Sequence, residues 1–454
     1  MSLHIIILAA GQGKRMHSTT SKVLHKIGGK SMLERVVETA SRLQPEGIHV
    51  IFGHGGEQLR NTLPELPVNW VHQAKQLGTG HAVLQALSHI PWTSHILVLS
   101  ADVPLIQLDT LQALVNACKP QSLGLLLASM ADPDGLGRIV RNENGDICAI
   151  VEEKDATAEQ RQIREIYSGI CCAAAIDLNR WLPALSNDNA QGEYYLTEII
   201  AMAVAEHLPI VSLQAMDCTE IQGVNNRAQL QQLERACQMR IAKELMEAGV
   251  TLADAARIDV RGELHCGMDV FIDVNNVFAG NVVIGNGCTI APNCVLTNVT
   301  LGENCHIMAN SVLENCSMGD GCHVGPFARI RPGTKLADRC KVGNFVEIKN
   351  AVFDEDSKVN HLSYLGDVTV GKHVNIGAGT ITCNYDGVNK HQTTIKDGAF
   401  IGSDTQLIAP ITIGENATIG AGSTIRKDAP AGELTLTESR QKTLFGWKRP
   451  HKGN

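Results

Sequence analysis

The chain has 454 residues, a length that favours two domains of roughly 200 residues each over one core. Lysine and arginine number 39 against 47 aspartate and glutamate residues, and the resulting net charge of -8 argues against nucleic acid and anionic membranes as main partners. We therefore expect any phosphate group to be bound by a local cluster of cations and backbone amides.

The first apolar segment is short and reads Ile5-Ile6-Ile7-Leu8. Without a basic stretch before it, it predicts a first β-strand and not a signal peptide or a membrane span. We expect a cytoplasmic protein with no membrane insertion. The 14 cysteines lack CxxC spacing, so we also expect reduced, buried thiols with neither a zinc cluster nor a disulfide framework.

The N-terminal half, residues 1–227, alternates apolar runs with helical stretches. The runs lie at 5–8, 50–52, 96–99 and 123–127. This alternation is typical of an α/β domain with a parallel sheet. Ligands of such a domain bind at the carboxyl ends of the strands.

A loop of small residues follows the first strand and reads Leu8-Ala9-Ala10-Gly11-Gln12-Gly13-Lys14-Arg15-Met16. Its backbone N–H groups and two cations are suited to a phosphate group. Met16 stands where a dinucleotide fingerprint needs a third glycine, and the loop does not match a Walker A motif. The loop therefore predicts an anion site of another kind.

A linker helix is predicted at 228–248. The apolar positions Leu230, Leu233, Cys237, Ile241 and Leu245 recur at intervals of three and four, and Gly249 is a stop signal. We therefore expect three segments, a domain at 1–227, this helix, and a domain at 249–454.

The C-terminal segment has a six-residue period, in which an aliphatic residue is followed by glycine or another small residue. Examples are Ile284-Gly285-Asn286-Gly287-Cys288-Thr289 and Ile413-Gly414-Glu415-Asn416-Ala417-Thr418. One aliphatic side chain per face and a small residue for each tight corner predict a triangular parallel β-helix. Its recurring cysteines, such as Cys288 and Cys305, are expected to be small core or corner residues.

Several motifs together resemble a known family. The glycine loop with Ser21-Lys22-Val23-Leu24 is similar to the signature of sugar-1-phosphate nucleotidyltransferases, and the match continues at 73–82, 100–105, 137–139, 151–154 and 223–227. With the hexapeptide repeats, residues 3–449 resemble the bifunctional N-acetylglucosamine-1-phosphate uridyltransferase/glucosamine-1-phosphate N-acetyltransferase family. The resemblance implies a Rossmann-like, GT-A type nucleotidyltransferase domain, a linker helix and a left-handed β-helix.

The family resemblance implies two reactions. Acetyl-CoA and glucosamine-1-phosphate give N-acetylglucosamine-1-phosphate, which then reacts with UTP to give UDP-N-acetylglucosamine and pyrophosphate for peptidoglycan and lipopolysaccharide synthesis. The second step needs mainly positioning and charge neutralisation, because its phosphate nucleophile is already anionic.

The resemblance also implies the residues of the uridylyl site. Arg15 and Lys22 hold the phosphates, and Asp102 and Asn225 supply oxygen ligands of the kind that Mg²⁺ accepts. Nucleotide and sugar contacts are expected from Leu8, Ala9, Ala10, Gly11, Lys22, Gln73, Gly78, Thr79, Ser100, Ala101, Asp102, Gly137, Glu152 and Asn225. Taken singly, Asp102 is explained equally well as a helix cap, and Lys22 as an exposed cation, as by a role in the site. Tyr167 departs from the family, which usually has asparagine at this sugar-side position.

In the acetyl site the resemblance makes His361 the general base, because an amine nucleophile must lose a proton. The sugar phosphate is expected to contact Arg331, Lys349, Tyr364, Asn375 and Lys390, with Lys390 reaching it from a neighbouring subunit of a homotrimer. Acetyl-CoA is expected to contact Ala378, Asn384, Tyr385, Ser403 and Ala421. Arg331 and Lys349 are otherwise readily explained as solvated surface cations. A family arginine near the C-terminus corresponds either to Glu438 or, with a shift, to Arg440.

Three alternatives remain open at this point. In the first alternative, the chain is a nucleotidyltransferase whose β-helix serves only assembly or regulation. This alternative does not explain His361 and Tyr364. An acyltransferase with a degenerate first domain would have lost Lys22 or Asp102, and neither is lost. The third alternative is a non-catalytic scaffold that binds ligands without turnover. An activity assay distinguishes it from an enzyme.

Overall fold

The computed structural model describes residues 2–11, 13–53, 55–438 and 440–450. The chain forms two compact units, residues 1–237 and residues 238–454. Within the described residues, no helix is both long and apolar enough to cross a membrane. The predicted boundaries at 227 and 249 stay predictions, because the units divide inside the long helix.

The first unit contains eleven described strands and the helices between them. Its strands are β1 Leu3–Leu8, β2 Lys26–Ile27, β3 Lys30–Ser31, β4 Gly47–Phe52, β5 Asn69–His72, β6 His95–Ser100, β7 Leu123–Ser129, β8 Arg138–Arg141, β9 Ile147–Val151, β10 Glu165–Ala174 and β11 Ile210–Gln214. Its helices are α1 Met32–Ser41, α2 Gly56–Thr62, α3 Thr79–Leu87, α4 Leu108–Ala117, α5 Ala175–Trp181 and α6 Ile199–Ala205, with 3-10 turns at Lys14–Met16, Lys22–Leu24, Gln160–Gln162, Leu182–Ala184, Leu196–Glu198 and Cys218–Ile221.

A nine-stranded sheet with the order β11-β7-β10-β6-β1-β4-β5 forms the centre of this unit, and β8 and β9 extend it from β10. The four predicted apolar runs fall in β1, β4, β6 and β7. These strands pair in parallel with their neighbours except at β10, which is antiparallel to both β6 and β7. The prediction of a parallel sheet was therefore wrong at β10, because this strand follows the antiparallel pair β8–β9 and not a crossover helix. The α/β class is confirmed.

Helix α7, Arg227–Glu247, confirms the predicted long helix. Leu233, Cys237 and Leu245 of the predicted apolar stripe are buried, and Leu230 and Ile241 are partly buried. The buried Gln238 makes two hydrogen bonds of 2.8 Å with the backbone N–H and C=O of Val260. The polar side chain thereby joins the helix to the first coil of the second unit, to which both residues belong.

The second unit is built from short strands in two sheets. These are β12 Thr251–Leu252, β13 Ile258–Cys266, β14 Phe271–Ile272, β15 Asn276–Ile284, β16 Thr289–Ile290, β17 Val295–Leu301, β18 His306–Ile307, β19 Val312–Met318, β20 His323–Val324, β21 Arg329–Ile330, β22 Lys335–Leu336, β23 Lys341–Asn344, β24 Glu347–Phe353, β25 Lys358–His361, β26 Tyr364–Val370, β27 Asn375–Ile376, β28 Ile381–Cys383, β29 Thr393–Ile395, β30 Phe400–Ile401, β31 Gln406–Ile408, β32 Ile411–Ile413, β33 Thr418–Ile419, β34 Thr424–Ile425 and β35 Leu434–Thr435, with a 3-10 turn at Ala255–Arg257.

Each coil of this unit pairs in parallel with the next, which confirms the parallel coil predicted from the hexapeptide period. Ile290 pairs with Ile307 and Ile307 with Val324, so one coil takes 17 residues here. The longer strands bend at a glycine, asparagine or aspartate with positive φ, such as Gly280 at 66° and Asn298 at 51°, and the bend makes two faces from one strand. With the third face formed by the two-residue strands, each coil is triangular. The left hand of the coil stays a prediction from the family resemblance.

The interior of the coil is a continuous column of buried aliphatic residues. Cys288, Cys305, Cys322 and Cys340 stack at one corner on successive coils, and each thiol donates to a backbone carbonyl oxygen at 3.0 to 3.2 Å. Ser357 continues the column with the same kind of hydrogen bond. These cysteines are therefore small buried corner residues, as predicted, and all 14 thiols of the chain are free.

Candidate active sites

A cavity of about 500 Å³ opens at the carboxyl ends of β1 and β6, where the topology predicts a ligand site. Ten of the residues expected at the uridylyl site line it: Leu8, Ala9, Ala10, Gly11, Lys22, Gln73, Gly78, Thr79, Ser100 and Asp102. Lys14, Gln76 and Glu193 line it as well. Gln76 and Glu193 were not predicted from the sequence to belong to the site. Gln76 is a single polar position, and Glu193 lies in a loop that is distant in sequence.

Gly78 lets the chain turn into α3 beside this cavity. Its φ is 114°, and a Cβ atom placed there would lie 2.6 Å from the carbonyl oxygen of Tyr194. The next residue, Thr79, accepts a hydrogen bond of 3.0 Å from the backbone N–H of Leu196 at its Oγ1. The segment Gly78-Thr79 is therefore fixed against the loop at 194–196, and any larger residue at 78 would displace it.

The ammonium group of Lys22 lies between the two expected metal ligands, Asp102 and Asn225. The ammonium of Lys22 donates to Asp102 Oδ2 at 2.5 Å and to Asn225 Oδ1 at 3.4 Å. Ser100 Oγ donates to the other carboxylate oxygen of Asp102 at 2.6 Å. The two oxygens from distant segments thus converge on one compact positive group, which is the arrangement that a hard cation requires.

Gly137 directly precedes β8 and Glu152 directly follows β9, and the two residues lie together. A Cβ atom at Gly137 would lie 3.7 Å from Glu152 Oε2, and Thr197 Oγ1 donates to Glu152 Oε1 at 3.1 Å. Burial raises the pKa of Glu152, while the hydrogen bond from Thr197 opposes the rise. This pair does not line the cavity of the nucleotide loop.

Two further expected residues of the first unit, Ala101 and Arg15, and the divergent position Tyr167 are not part of the cavity lining. Ala101 is fully buried in the core, so its side chain cannot touch a ligand without a rearrangement. Arg15 is exposed on the 3-10 turn after the glycine loop. Tyr167, the position at which the sequence departs from the family, is 7% exposed and packs in the hydrophobic core.

In the second unit, one corner of the coil brings together residues that are far apart in sequence. Backbone hydrogen bonds link the His361 carbonyl to Gly379, the Ala378 carbonyl to Asp404 and the Ser403 carbonyl to Gly422. His361, Ala378, Ser403 and Ala421 therefore stand at the same position of four successive coils, at a spacing of about 4.8 Å per coil. The expected base and three expected acetyl-CoA contacts form one column, here called the corner column.

Asn344 stands one coil before His361 in this column. The carbonyl of Asn344 accepts from Leu362, and its Oδ1 atom lies 2.6 Å from His361 Nδ1. Because an amide oxygen can only accept, Nδ1 of a neutral His361 carries the proton and Nε2 has the lone pair. The exposed His361 is therefore oriented as a base with Nε2 toward solvent.

Two polar groups meet next to the corner column above Gly366. A Cβ atom at Gly366 would lie 2.5 Å from Tyr364 Oη and 2.7 Å from Asn384 Nδ2, so the absence of a side chain allows both groups to be there. Asn384 Nδ2 also donates to Asp367 Oδ2 at 2.5 Å. An amide nitrogen has two hydrogens, and the second remains available to a ligand oxygen.

Three cations cluster beside this polar pair. Arg331 Nη1 donates to Glu347 Oε1 at 2.7 Å. The neighbouring ammonium of Lys390 lowers the pKa of Lys349, and Arg331 adds to the effect. Lys390 thus lies near Lys349 within one chain, so no second subunit is needed to bring these two together. Like charges at this separation favour an anion between them.

The segment at 384–391 that carries Lys390 is a tight, internally bonded loop. Asp386 Oδ1 accepts from the backbone N–H groups of Val388 and Asn389, and its Oδ2 lies 2.7 Å from His391 Nε2. His391 and these N–H groups lower the pKa of Asp386. Tyr385 is 61% exposed on this loop, where its hydroxyl donates to the Gly387 carbonyl at 2.6 Å.

The remaining predicted contacts are less closely gathered. Asn375 lies on β27, three residues before Ala378, and pairs with Lys358 and Phe400 of the adjacent coils. Glu438 and Arg440 are both exposed, and Ser439 between them lies outside the described residues.

Protein-family models match three segments of the chain. Residues 5–154 match a MobA-like NTP transferase domain, residues 260–342 a GMPPB C-terminal domain, and residues 392–427 six repeats of a bacterial transferase hexapeptide. The first match includes every residue that lines the nucleotide cavity except Glu193, and the third begins directly after the loop that carries Lys390.

Curated relatives match along the whole chain. A bifunctional protein GlmU from Legionella pneumophila is 66% identical over 100% of this chain and 99% of the relative. The proteins of the same name from Marinobacter nauticus and Idiomarina loihiensis are 56% and 52% identical, each over 99% of both chains. Both units therefore have counterparts in each relative.

Proposed function

This chain belongs to the GlmU family of bifunctional acetyltransferases and uridylyltransferases in UDP-N-acetylglucosamine synthesis, and we propose that its two units work through two separate sites. The corner column of residues 238–454 is the acetyl transfer site, and the cavity of residues 1–237 is the uridylyl transfer site. The observation that carries the assignment is the gathering of His361 with Ala378, Ser403 and Ala421.

In acetyl transfer His361 acts as the general base. The 2-amine of glucosamine-1-phosphate attacks the thioester carbonyl carbon while Nε2 of His361 takes the amine proton. The C–S bond then breaks, and the CoA sulfur leaves with the bonding electron pair. The hydrogen bond from Nδ1 to Asn344 supports this role, because it keeps the lone pair on Nε2.

The charge of the substrates fits the groups around His361. The phosphate of the sugar belongs between Lys349, Lys390 and Arg331, where an anion relieves the mutual repulsion of the cations. Asn384 Nδ2 donates its second hydrogen to the oxygen of the tetrahedral intermediate. Acetyl-CoA follows the small residues of the corner column, over three coil steps or about 14 Å from His361 to Ala421.

In uridylyl transfer the chain's own groups bind and orient. The backbone of Leu8 to Gly11 and the side chains of Lys14 and Lys22 face the triphosphate of UTP, with Arg15 able to approach from its exposed turn. The phosphate oxygen of N-acetylglucosamine-1-phosphate attacks the α-phosphorus, and pyrophosphate leaves. Gly137 and Glu152 are assigned to the sugar side of this site.

Asp102 and Asn225 fit a magnesium ion. Their two oxygens already share one ammonium, and carboxylate and amide oxygens are ligands that Mg²⁺ prefers. When bound, Mg²⁺ supplies positive charge that neutralises the phosphate oxygens. Lys22 must then move its hydrogen bonds from Asp102 to the nucleotide.

We also propose that the β-helix assembles as a homotrimer. Phe327, Phe345 and Leu362 stand at one corner of three successive coils, 50%, 56% and 64% exposed, all with φ between 52° and 57°. Earlier coils have asparagine there, for example Asn293 and Asn310, which tolerates this backbone region better. An exposed apolar column in a strained conformation beside His361 is suited to a second copy of the chain. The number three rests on the family resemblance.

The trimer is tested by the mass of the protein in solution. Sedimentation of Phe345→Asp should give a smaller species, and Met268→Asp, at an exposed methionine on another coil, should leave the mass unchanged. A monomeric parent protein would contradict the proposal. Since the substrates are metabolites of the cytoplasm, we propose that compartment as the site of action.

Separate variants test the two-site assignment. His361→Ala should abolish acetyl transfer and retain uridylyl transfer from supplied N-acetylglucosamine-1-phosphate, and Asp102→Ala should do the reverse. Thermal unfolding and circular dichroism show that the mutated unit of each variant is folded, since the retained activity reports only on the other unit. Loss of both activities in either folded variant would contradict separate sites.

A further inference from the structure

Three side chains that can bind a metal ion meet inside the first unit. His95 begins β6, Cys118 follows α4, and Cys172 lies in β10. One ligand atom from each residue lies within 4.8 Å of the other two, and all three residues are buried. Among the described residues, no other group of three His, Cys, Asp or Glu side chains meets this condition.

The fold explains why these side chains meet. Cys172 pairs with Leu97 across β10 and β6, and strand alternation places His95 and Leu97 on the same face of the sheet. Helix α4 packs on this face and ends at Cys118, whose thiol donates to the Cys172 carbonyl at 3.1 Å. The group lies at the amino end of β6, about 16 Å from Ser100 at the nucleotide cavity.

The histidine of this group has a buried ring nitrogen that makes no hydrogen bond within the described part of the chain. His95 is 7% exposed, and its Nε2 atom is buried without a hydrogen-bond partner among the described residues. A buried nitrogen without a hydrogen bond destabilises the folded state. A neutral imidazole nitrogen with a free lone pair is a common metal ligand.

The thiols supply the charge that a cation needs. Both thiols are free, and a bound cation displaces their protons. A single Cys118 thiolate balances the charge of Cu⁺, and deprotonation of Cys172 as well balances that of Zn²⁺.

We propose that His95, Cys118 and Cys172 form a binding site for one thiophilic d¹⁰ cation, Zn²⁺ or Cu⁺. Two sulfur atoms and one imidazole nitrogen are the ligand set that these ions prefer. The site is chemically distinct from the oxygen ligands Asp102 and Asn225, which suit Mg²⁺. The same strand β6 thus leads from a soft metal site at one end to the hard metal site at the other.

The experiment uses the full-length protein, reduced and free of oxygen. Zn²⁺ and, in a separate series, Cu⁺ are titrated against a competing chromophoric chelator, and the protons released are counted. We expect one tightly bound ion per chain, with two protons released for Zn²⁺ or one for Cu⁺. Replacement of Zn²⁺ by Co²⁺ should give a sulfur-to-cobalt charge-transfer band.

Single variants identify the ligands. His95→Gln, Cys118→Ser and Cys172→Ser should each weaken binding at least tenfold. Cys171→Ser is the matched control, because Cys171 is equally buried but packs in the hydrophobic cluster on the other face of the sheet. Uridylyl transfer measured without added Zn²⁺ or Cu⁺ should stay within twofold in every variant, which shows that the unit is folded.

The results divide cleanly. Binding of either ion that is lost in His95→Gln and kept in Cys171→Ser supports the proposal and identifies the ion. Absence of tight binding of both ions, or binding that persists in a folded Cys118→Ser variant, would overturn it. If Cys172→Ser does not fold, the His95→Gln variant still decides, since it leaves both sulfur atoms in place.

Discussion

The Nδ1 atom of His361 lies 2.6 Å from the Oδ1 atom of Asn344, one coil away in the same corner column. This hydrogen bond links two corners that are 17 residues apart in sequence. It fixes both the orientation of the ring and the nitrogen that carries the proton. In this account Asn344 is a positioning residue for the acetyl transfer base.

Asn344→Ala should lower kcat for acetyl transfer roughly tenfold to a hundredfold, because the ring then rotates and changes tautomer freely. The KM values for both substrates should change little. Steady-state kinetics of thiol release at several pH values measure this, with thermal unfolding of the second unit as the folding control.

The conservative variant Asn344→Asp gives a sharper readout. A carboxylate beside His361 favours the charged imidazole and raises the pKa of the base. The acid limb of the acetyl transfer profile should therefore move to higher pH. A profile that does not move in either variant would exclude the positioning role.

Gly366→Ala should impair acetyl transfer by at least tenfold. The new methyl group would lie 2.5 Å from Tyr364 Oη and 2.7 Å from Asn384 Nδ2, and both groups would have to move. The φ of Gly366 lies outside the left-handed region, so the backbone itself accepts alanine. Unchanged acetyl transfer in the folded variant would show that the pair above Gly366 has no part in the reaction.

The first unit should lose stability in mild acid because of His49. Burial, with contributions from His4 and His89, lowers the pKa of His49 to about 4, against about 6.5 in the unfolded chain. Above pH 6.5 the imidazole is neutral in both states. Between pH 6.5 and 4 the unfolded chain takes up a proton that the folded chain refuses, so this site costs up to about 3 kcal/mol of unfolding free energy.

Chemical denaturation followed by tryptophan fluorescence at pH 4.5 and 7 measures this effect, since Trp70, Trp92 and Trp181 belong to the first unit. His49→Asn should flatten the dependence on pH. His207→Asn, at an exposed histidine with φ of 57°, is the matched control and should keep the full dependence. Equal slopes in the two variants would contradict the assignment to His49.

Regular spacing made the coil predictable, because every six residues one aliphatic side chain must face the interior. The same reasoning could not give the corner column. The loop at 384–391 lengthens one coil, so that Ile376 pairs with Ile401, 25 residues on, where neighbouring coils take 17 or 18. The functional residues there were assigned by family resemblance alone.

The local sequence did not predict the features that depend on tertiary contacts. Strand β10 reads like the parallel strands around it, yet the antiparallel pair before it sets its direction. His95, Cys118 and Cys172 come together because a helix end packs against two paired strands. The spacing of the cysteines in the sequence does not predict this cluster. Ala101 matched a family contact by motif, but burial removes its side chain from the cavity.

The central claim is that one chain performs both reactions in order. The most direct test incubates the purified protein with glucosamine-1-phosphate, acetyl-CoA, UTP and Mg²⁺, omits one component at a time, and measures free thiol and pyrophosphate together. We predict that thiol appears without UTP, and that pyrophosphate appears only when acetylated sugar phosphate is formed or supplied. Pyrophosphate from supplied N-acetylglucosamine-1-phosphate, with no thiol release under any condition, would contradict the claim and reduce the β-helix to an assembly domain.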